Sequence, residues 1–142
     1  MISVKLRYPL QEDSSFIVAS WLSSVKKHLD KDIPYDIRHN EYKNLIQTLL
    51  SNDTNVIVAV SPEDDDYING YAVYNHDVLH YIYVRYALRR QGLATFLMES
   101  IIEPKFITHK PLWYYKAKDE LKKKFIYNPF IFYKGHTKNE DK

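Results

Sequence analysis

Apolar and polar side chains alternate along several short stretches of this 142-residue chain. Between Ile2 and Tyr8 the apolar positions fall on one face, and Ser3, Lys5 and Arg7 fall on the other, which predicts a half-buried strand. Further strands are predicted at Val56–Val60, Tyr67–Tyr74, Val78–Val84, Lys105–Thr108 and Phe130–Tyr133.

A spacing of three and four residues between apolar side chains predicts four helices. They run from the N-cap Asp13 to about Lys27, from Asn40 to Ser51, from Gly92 to about Glu103, and from Pro111 to the break at Asn128-Pro129. The segment before the second helix is predicted as an irregular polar loop. The acidic stretch Pro62–Asp66 is predicted as a solvated connection between two strands.

The predicted order is β-α-α-β-β-β-α-β-α-β, which is an α/β arrangement. The polar turn after Tyr74 should join Tyr67–Tyr74 and Val78–Val84 into an antiparallel hairpin. A helix separates Val78–Val84 from Lys105–Thr108, so these two strands should run parallel through a right-handed crossover. We expect a single domain over residues 1–134 and a polar, disordered tail over 135–142.

A basic loop with one glycine joins the Val78–Val84 strand to the third helix. From Arg89 to Ala94 it reads Arg-Arg-Gln-Gly-Leu-Ala. The first turn of a helix leaves N–H groups without internal partners, and glycine lets the backbone approach a ligand closely. The pattern therefore fits an anion site, but it also fits an ordinary strand-to-helix connection with solvated arginines.

Composition excludes several classes of protein. The formal net charge of +2 demands neither a nucleic acid nor a membrane as partner. Without cysteine the chain has no disulfide, cysteine-zinc site or cysteine nucleophile. No histidine pair has metal-ligand spacing with a supporting carboxylate, so no metal site is predicted. Because no apolar run approaches roughly 20 residues and no signal-peptide pattern is present, we expect a soluble cytoplasmic protein.

The Arg89–Ala94 segment resembles the Arg/Gln-x-x-Gly-x-Gly/Ala pyrophosphate loop of the Gcn5-related N-acetyltransferases, the GNAT superfamily. Val84 lies five residues before Arg89, where the family's fourth strand often ends. The resemblance implies a GNAT fold: a mixed, mostly antiparallel sheet of about six strands, flanked by four helices and splayed between strands 4 and 5. The family usually closes with a sixth and a seventh strand, whereas the pattern here predicts only one.

A narrower resemblance is to the short GNAT-like proteins of tailed bacteriophages. It is carried by four segments, which are the Phe16–Leu22 helix, the Leu79–Val84 strand, Thr108–Lys110 and Tyr127–Pro129. If the protein is phage-encoded, it would lie in the host cytoplasm or the virion.

The resemblance implies acetyl-CoA as the cofactor and a binding site built largely from backbone groups. The implied cofactor-binding residues of the loop are Arg89, Arg90, Gln91, Gly92, Leu93, Ala94 and Thr95. The pantetheine arm would lie between the splayed strands, and a backbone N–H near Tyr83 or Val84 would polarise the thioester carbonyl. Arg85 would either contact phosphate or be exposed.

The general base is an open question in this sequence. Many GNAT enzymes place a glutamate on the fourth strand, and Val78–Val84 contains none. His80 is the titratable side chain there, with an unperturbed pKa of about 6.5. It would act as the base or be a packed strand residue. The other candidate is a water chain through tyrosines, in which Tyr81 takes part through its hydroxyl.

The family's usual acid is a tyrosine in or just after the last helix. Tyr127 is our candidate, although its spacing departs from the family pattern, and Tyr133 is second. Tyr127 would otherwise be an aromatic core residue with a bonded hydroxyl. His109 would line the acceptor site or begin the following helix.

These residues imply an acyl-CoA-dependent N-acyltransferase that moves acetyl directly to a primary amine of a small molecule or a protein. The alternative is a catalytically inactive GNAT-fold protein that serves as a phage virion or host-interaction component. It is favoured by the missing glutamate, the displaced tyrosine and the short C-terminus. A third interpretation is a generic aromatic-rich α/β binding domain. A homodimer or a virion assembly partner is possible for either GNAT interpretation.

Overall fold

A computed structural model describes residues 3–25, 32–51, 54–89, 91–101, 105–108 and 125–131. Its centre is one six-stranded sheet. The strands are β1 (Lys5–Arg7), β2 (Asn55–Ser61), β3 (Asp64–Asn75), β4 (Val78–Val84), β5 (Phe106–Ile107) and β6 (Ile126–Tyr127). They lie across the sheet in the order of the chain. Each of the first four strands is antiparallel to its neighbour within this group. Strand β5 runs parallel to β4, and β6 runs parallel to β5.

Three α-helices flank this sheet in the described part of the chain. They are α1 (Ser14–Val25), α2 (Tyr35–Ser51) and α3 (Leu93–Glu99), and short 3-10 turns occupy Gln11–Asp13 and Tyr86–Leu88. The predicted antiparallel β3–β4 hairpin and the parallel β4–β5 pair are both confirmed. The predicted fourth helix from Pro111, the 135–142 tail, His109 and Tyr133 lie outside the described residues.

Each face of the sheet carries its own apolar cluster. On one face, α1 and α2 bury Trp21 and Ile46 against Tyr71 and other side chains of the central strands. On the other face, α3 buries Leu93 and Leu97 against the opposite side of the same strands. The alternation of side chains along β3 and β4 serves both clusters, because successive residues point to opposite faces.

Helix α2 begins at Tyr35, five residues earlier than the predicted start at Asn40. Pro34 lies just before it, and its carbonyl accepts a 3.0 Å hydrogen bond from the Arg38 N–H. Proline is tolerated at a helix start because the N–H that it lacks would have no partner there. The predicted irregular loop is therefore shorter than the polar composition suggested.

The prediction that Asp13 caps α1 is wrong. Asp13 lies in the preceding 3-10 turn, where its carboxylate accepts hydrogen bonds from Arg7 Nη1 at 2.7 Å and Nη2 at 3.1 Å. It also accepts the Leu10 N–H at 2.7 Å. The pair is mostly buried, with side-chain exposures of 14% for Arg7 and 7% for Asp13. It therefore ties β1 to the start of α1.

Two strand predictions also need correction. Asp64–Asp66 belongs to β3 rather than to a loop, because Asp64 pairs with Ser61 of β2. Lys5 Nζ also lies 2.6 Å from the Asp65 carboxylate, and Arg7 Nε donates to the Asp65 carbonyl. The last strand among the described residues is Ile126–Tyr127, and the predicted strand Phe130–Tyr133 is described only as far as Ile131. Phe130 is instead in a helical turn. Pro129 precedes it, and this ring cannot donate to a strand ladder.

Candidate acyl-donor site

Strand β4 carries one more residue than β3 where the two pair. Val73 lies opposite Tyr81, and Tyr74 lies opposite Leu79, so His80 has no register partner on β3. This is a β-bulge, in which one extra residue interrupts the ladder. Because of the extra residue, the backbone groups that would face β3 beyond the bulge face the β5 side instead. Those that would face the β5 side face β3.

Hydrogen bonds on the two sides of the bulge show this exchange. Before it, the Asp77 and Leu79 carbonyls accept N–H groups from the β5 side. After it, the Arg85 N–H donates to Asn69 of β3 at 2.8 Å. Since backbone groups alternate along a strand, the Tyr83 N–H also faces β3, and the Val84 N–H faces the β5 side.

The β5 side of β4 opens after two residue pairs. In the register β5 pairs only with Val78 and Leu79, whereas β4 continues to Val84. Within the described segments, no strand accompanies β4 beyond that point. The N–H groups of Ile82 and Val84 consequently face this gap, which corresponds to the predicted splay between strands 4 and 5.

Gly92 joins this strand region to α3. It is the N-cap of the helix with φ 88° and ψ 5°, a left-handed conformation that favours glycine. A Cβ placed there would meet no atom within 4 Å, so the space beside the junction is open. The next residue, Leu93, is buried against the sheet. The backbone N–H groups at the start of α3 are thus held beside an open space.

The other predicted loop residues have distinct positions. Arg89 donates from Nε to the Val84 carbonyl at 3.1 Å and lies over the Tyr86 ring at 5.3 Å. Gln91 is exposed and donates from Nε2 to the Ala87 carbonyl at 3.3 Å. Ala94 is half-buried and Thr95 is exposed, whereas Arg90 lies outside the described residues.

His80 is buried, with 3% exposure, and both of its ring nitrogens have partners. Nε2 lies 3.1 Å from Asn75 Oδ1, and Nδ1 lies 3.2 Å from the Thr108 hydroxyl. An amide oxygen only accepts, so this arrangement fits a neutral ring that donates from Nε2 and accepts at Nδ1. The Thr108 hydroxyl also lies 3.4 Å from the His80 carbonyl oxygen, so its hydrogen could turn to that oxygen and its own oxygen could then accept from a protonated Nδ1.

Tyr81 lies within an aromatic cluster under α1. Its ring stacks on Trp21 at 5.0 Å and packs against Tyr71 at 5.9 Å. Burial raises the pKa of Tyr81 to about 12, although a hydrogen bond with Ser24 opposes the shift. Burial likewise raises the pKa of Tyr71, whose hydroxyl donates to the Ile17 carbonyl at 3.0 Å. Both hydroxyls keep their protons at neutral pH.

Tyr127 lies two strands from β4. It pairs with Ile107, which in turn pairs with Leu79. Neighbouring strands are about 4.8 Å apart, so the Tyr127 backbone lies about 10 Å from Leu79. Its side chain is 43% exposed rather than part of the core. The structure brings Tyr127 to the level of the bulge but not beside Val84.

Arg85 is held within the protein and is not simply exposed. Its Nε and Nη2 donate to the Ile68 carbonyl at 3.0 and 2.6 Å. Its guanidinium also lies over the rings of Tyr67 at 4.4 Å and Phe16 at 5.9 Å. Arg85 therefore fastens the end of β4 to β3.

Sequence reasoning missed three residues that shape the site. Gly70 lies against β4, since a Cβ there would come within 2.6 Å of the Tyr83 carbonyl oxygen. Asn75 and Thr108 fix the His80 ring. Gly70 is one of three glycines in the chain, and a glycine inside a predicted strand is a signal for the close approach of another backbone. No sequence signal connected Asn75 or Thr108 to a histidine on another strand.

Two features are absent from the described residues. None of the helices there has both the length and the apolar character needed to cross a bilayer. No group of three or more metal-binding side chains converges in that part of the chain.

Comparison with solved structures identifies similar folds. Apo-form YjaB from Escherichia coli is 20% identical, with a TM-score of 0.53 over 70% of this chain and 64% of that one. A GCN5-related N-acetyltransferase from Rhodopseudomonas palustris is 19% identical, with a TM-score of 0.48 over 70% and 64%. A GNAT superfamily phosphinothricin acetyltransferase from Sinorhizobium meliloti, solved with AcCoA, is 17% identical, with a TM-score of 0.47 over 70% and 58%.

The matched region spans less than two thirds of each of these three proteins. No family model matches the chain, and no curated protein matches it. At these identities the likeness concerns the fold. The predicted α/β fold with a mixed, mostly antiparallel six-stranded sheet is confirmed, and it is similar to the fold of YjaB.

Proposed function

We propose that this protein is an acyl-CoA-dependent N-acyltransferase that moves acetyl from acetyl-CoA directly to a primary amine. One observation carries the proposal: the open edge of β4 leads into the left-handed Gly92 junction. This combination offers strand N–H groups beyond the described pairing with β5, followed along the chain by the N–H groups at the start of α3. A peptide-like arm that ends in a pyrophosphate would match both.

Two sets of backbone groups would bind the two parts of acetyl-CoA. The N–H groups from Gln91 to Thr95 would hold the pyrophosphate, and the Arg89 side chain lies close by on the Val84 carbonyl. The N–H groups of Ile82 and Val84 face the arm. When bound, acetyl-CoA would supply a thioester carbonyl for the amine to attack. One backbone donor at that carbonyl oxygen typically contributes roughly 3 kcal/mol to catalysis.

For proton transfer, His80, Tyr81 and Tyr127 remain proposals of unequal support. His80 lies at the bulge, and its Nδ1 could accept a proton when the Thr108 hydroxyl hydrogen turns to the His80 carbonyl oxygen. Tyr81 holds its proton too tightly to be a base at neutral pH. Tyr127 is exposed and could donate only to a group near the level of Leu79. We retain His80 as base and Tyr127 as acid.

The second candidate function is coenzyme A binding without catalysis. It is favoured by the bonded and buried His80, the buried Tyr81, and a β4 sequence with no carboxylate. The resemblance to short phage proteins belongs to this proposal, in which the protein would be a virion or host-interaction component. We likewise propose that the acceptor is an amine of a small molecule or a protein, that the protein forms a homodimer, and that it lies in the host cytoplasm.

Thermal unfolding with acetyl-CoA tests the binding step. A ligand at 100 times its Kd stabilises a folded protein by about 2.7 kcal/mol, so a clear rise in Tm is expected at millimolar acetyl-CoA. Release of free thiol with a panel of amines then tests catalysis. Binding with turnover supports the first function, and binding without turnover supports the second. If acetyl-CoA leaves Tm unchanged, both are wrong.

Substituting Gly92 tests the loop assignment. Gly92→Asn keeps a residue that tolerates the left-handed conformation but fills the open space beside the junction. It should retain the fold and lose the acetyl-CoA shift. Glu99→Asn, at the exposed far end of α3, should keep that shift and serves as the control. Full binding by the Gly92 variant would disprove the loop assignment.

A further inference from the structure

A groove of about 880 Å³ lies between the outer faces of α1 and α2. Its floor is apolar and includes Val18, Leu22 and Leu50. Its α1 wall carries small hydroxyl side chains, including Ser15 and Ser23. The volume falls within the roughly 300–1,000 Å³ typical of ligand sites. The two helices thus leave a partly apolar channel open to solvent.

The α2 wall of this groove is basic. Arg38, His39 and Lys43 all line it, and no acidic side chain is among its described lining residues. The exposed acids Asp36 and Glu41 are on α2 but do not line the groove. At about 100° per residue, Glu41 falls on the side of α2 opposite His39 and Lys43.

Tyr35 organises the basic end of the groove. The His39 ring stacks on it at 5.6 Å with an interplanar angle of 25°, and the Arg38 guanidinium lies 5.8 Å from its centre. Arg38 is fixed further, because its Nε donates to the Ile33 carbonyl at 2.8 Å. Two of the three basic groups are therefore held in place before any ligand arrives.

The groove is separate from the β4 site. Ile17 and Trp21 on the inner face of α1 pack into the core against the sheet. Val18 and Leu22 belong to the same core cluster and also form the groove floor, but none of the described lining residues lies on β4 or α3. The groove therefore uses residues other than those proposed to bind acetyl-CoA at β4.

We propose that this groove binds an acidic, amphipathic peptide segment of a partner protein. Apolar side chains of the segment would cover the floor, and its carboxylates would face Arg38, His39 and Lys43. The α1 wall from Ser14 to Ser23 is about 14 Å long, which matches about four residues of extended chain. A nucleic acid would need a longer basic track, and the formal net charge is only +2.

Fluorescence anisotropy with a labelled peptide of alternating leucine and glutamate tests this proposal on the full chain. The same peptide with glutamine in place of glutamate is the uncharged comparison. Lys43→Glu reverses a charge in the groove, and Lys105→Glu makes the same change at an exposed position just before β5. Circular dichroism and Tm establish that both variants are folded.

The expected result is saturable binding of the glutamate peptide that weakens as salt is added. Lys43→Glu should weaken it by at least about fivefold, because like charges then face each other, and Lys105→Glu should change it little. Three results would overturn the proposal: no binding at low salt, equal binding of the glutamine peptide, or equal weakening by both variants. Stronger binding of a single-stranded oligonucleotide at the same groove would also overturn it.

Discussion

At Gly70 a single hydrogen atom determines how closely two strands can approach. Its position opposite Val84 places the Tyr83 carbonyl oxygen where a Cβ would be. Gly92 needs its lack of a side chain for a different reason, since space is open there and only the backbone angle is unusual. A side chain at Gly70 would therefore destabilise the protein through a steric clash. A side chain at Gly92 would destabilise it through the left-handed backbone conformation.

We expect Gly70→Ala to destabilise the protein more than Gly92→Ala. The first forces backbone atoms apart, at a cost of about 1–3 kcal/mol or more, and the second costs about 1–2 kcal/mol for the left-handed angle. Urea unfolding of both variants measures the difference. Equal costs would show that β3 and β4 can separate without strain.

The buried Asp13–Arg7 pair should make stability depend on acid pH. The Arg7 guanidinium hydrogen bonds lower the pKa of Asp13 below its ordinary value of 3.8. The stabilisation is therefore present above that value and is lost as pH falls through the folded-state pKa. Asp13→Asn should lose about 2 kcal/mol near neutral pH, and the gap to wild type should close below about pH 4.

Asp65→Asn is the matched control for this experiment. Its ion pair with Lys5 is short at 2.6 Å, but both side chains are at least half exposed. Surface pairs of this kind contribute little. Chemical unfolding at several pH values should therefore show little change for Asp65→Asn, and a large change would contradict the distinction between the two pairs.

Tyr81 should give the opposite dependence at alkaline pH. Its raised pKa of about 12 means that the folded state keeps the phenol proton above the ordinary value of 10. Its contribution to stability is present below pH 10 and is lost as pH rises toward 12. Tyr81→Phe should remove that part of the alkaline loss, whereas Tyr8→Phe, at a side chain that is 85% exposed, should not. An unchanged alkaline profile in Tyr81→Phe would contradict the burial argument.

At the scale of secondary-structure elements, the alternation of apolar and polar residues predicted the strands well. Successive side chains along β1 to β4 point to opposite faces of the sheet, and this produces the alternation. The failures have physical causes. The sequence did not reveal the start of α2, because Asp36, Arg38 and His39 do not continue the three- and four-residue spacing of apolar side chains. Asp64–Asp66 looked like a loop because its partners, Lys5 and Arg7, lie nearly 60 residues away. The last described strand, Ile126–Tyr127, has only two residues, which is too short to show an alternation of apolar and polar side chains.

Arg85 joins two of these elements and gives a test at the same scale. Arg85→Lys removes the two-point contact with the Ile68 carbonyl and weakens the stacking on Tyr67, because an ammonium group lacks the planar fork. We expect a loss of about 1–2 kcal/mol in urea unfolding. Arg89→Lys, whose side chain is exposed, should lose less. Equal stability of Arg85→Lys and wild type would mean that the fork is dispensable.

At the scale of the whole molecule, the sequence predicted the glycine junction before α3 better than the surroundings of His80. Gly92 and its helix follow from local chemistry, since glycine readily adopts the left-handed conformation that begins this helix and an amphipathic segment follows it. The bulge at His80 and its partners Asn75 and Thr108 arise from pairing between strands that are distant in sequence. No local pattern contains that information.

The strand order has a consequence for how the chain is made. Each strand lies beside its predecessor, so a chain leaving the ribosome always finds the next partner already synthesised. The β2–β4 meander needs only short loop closures and can form before α3 emerges. The edge of β4 that we assign to the acyl donor would then be the growing edge of a nascent sheet, exposed until β5 arrives. In a stalled nascent chain ending after Val84, we expect that edge to be the region most prone to misassociation.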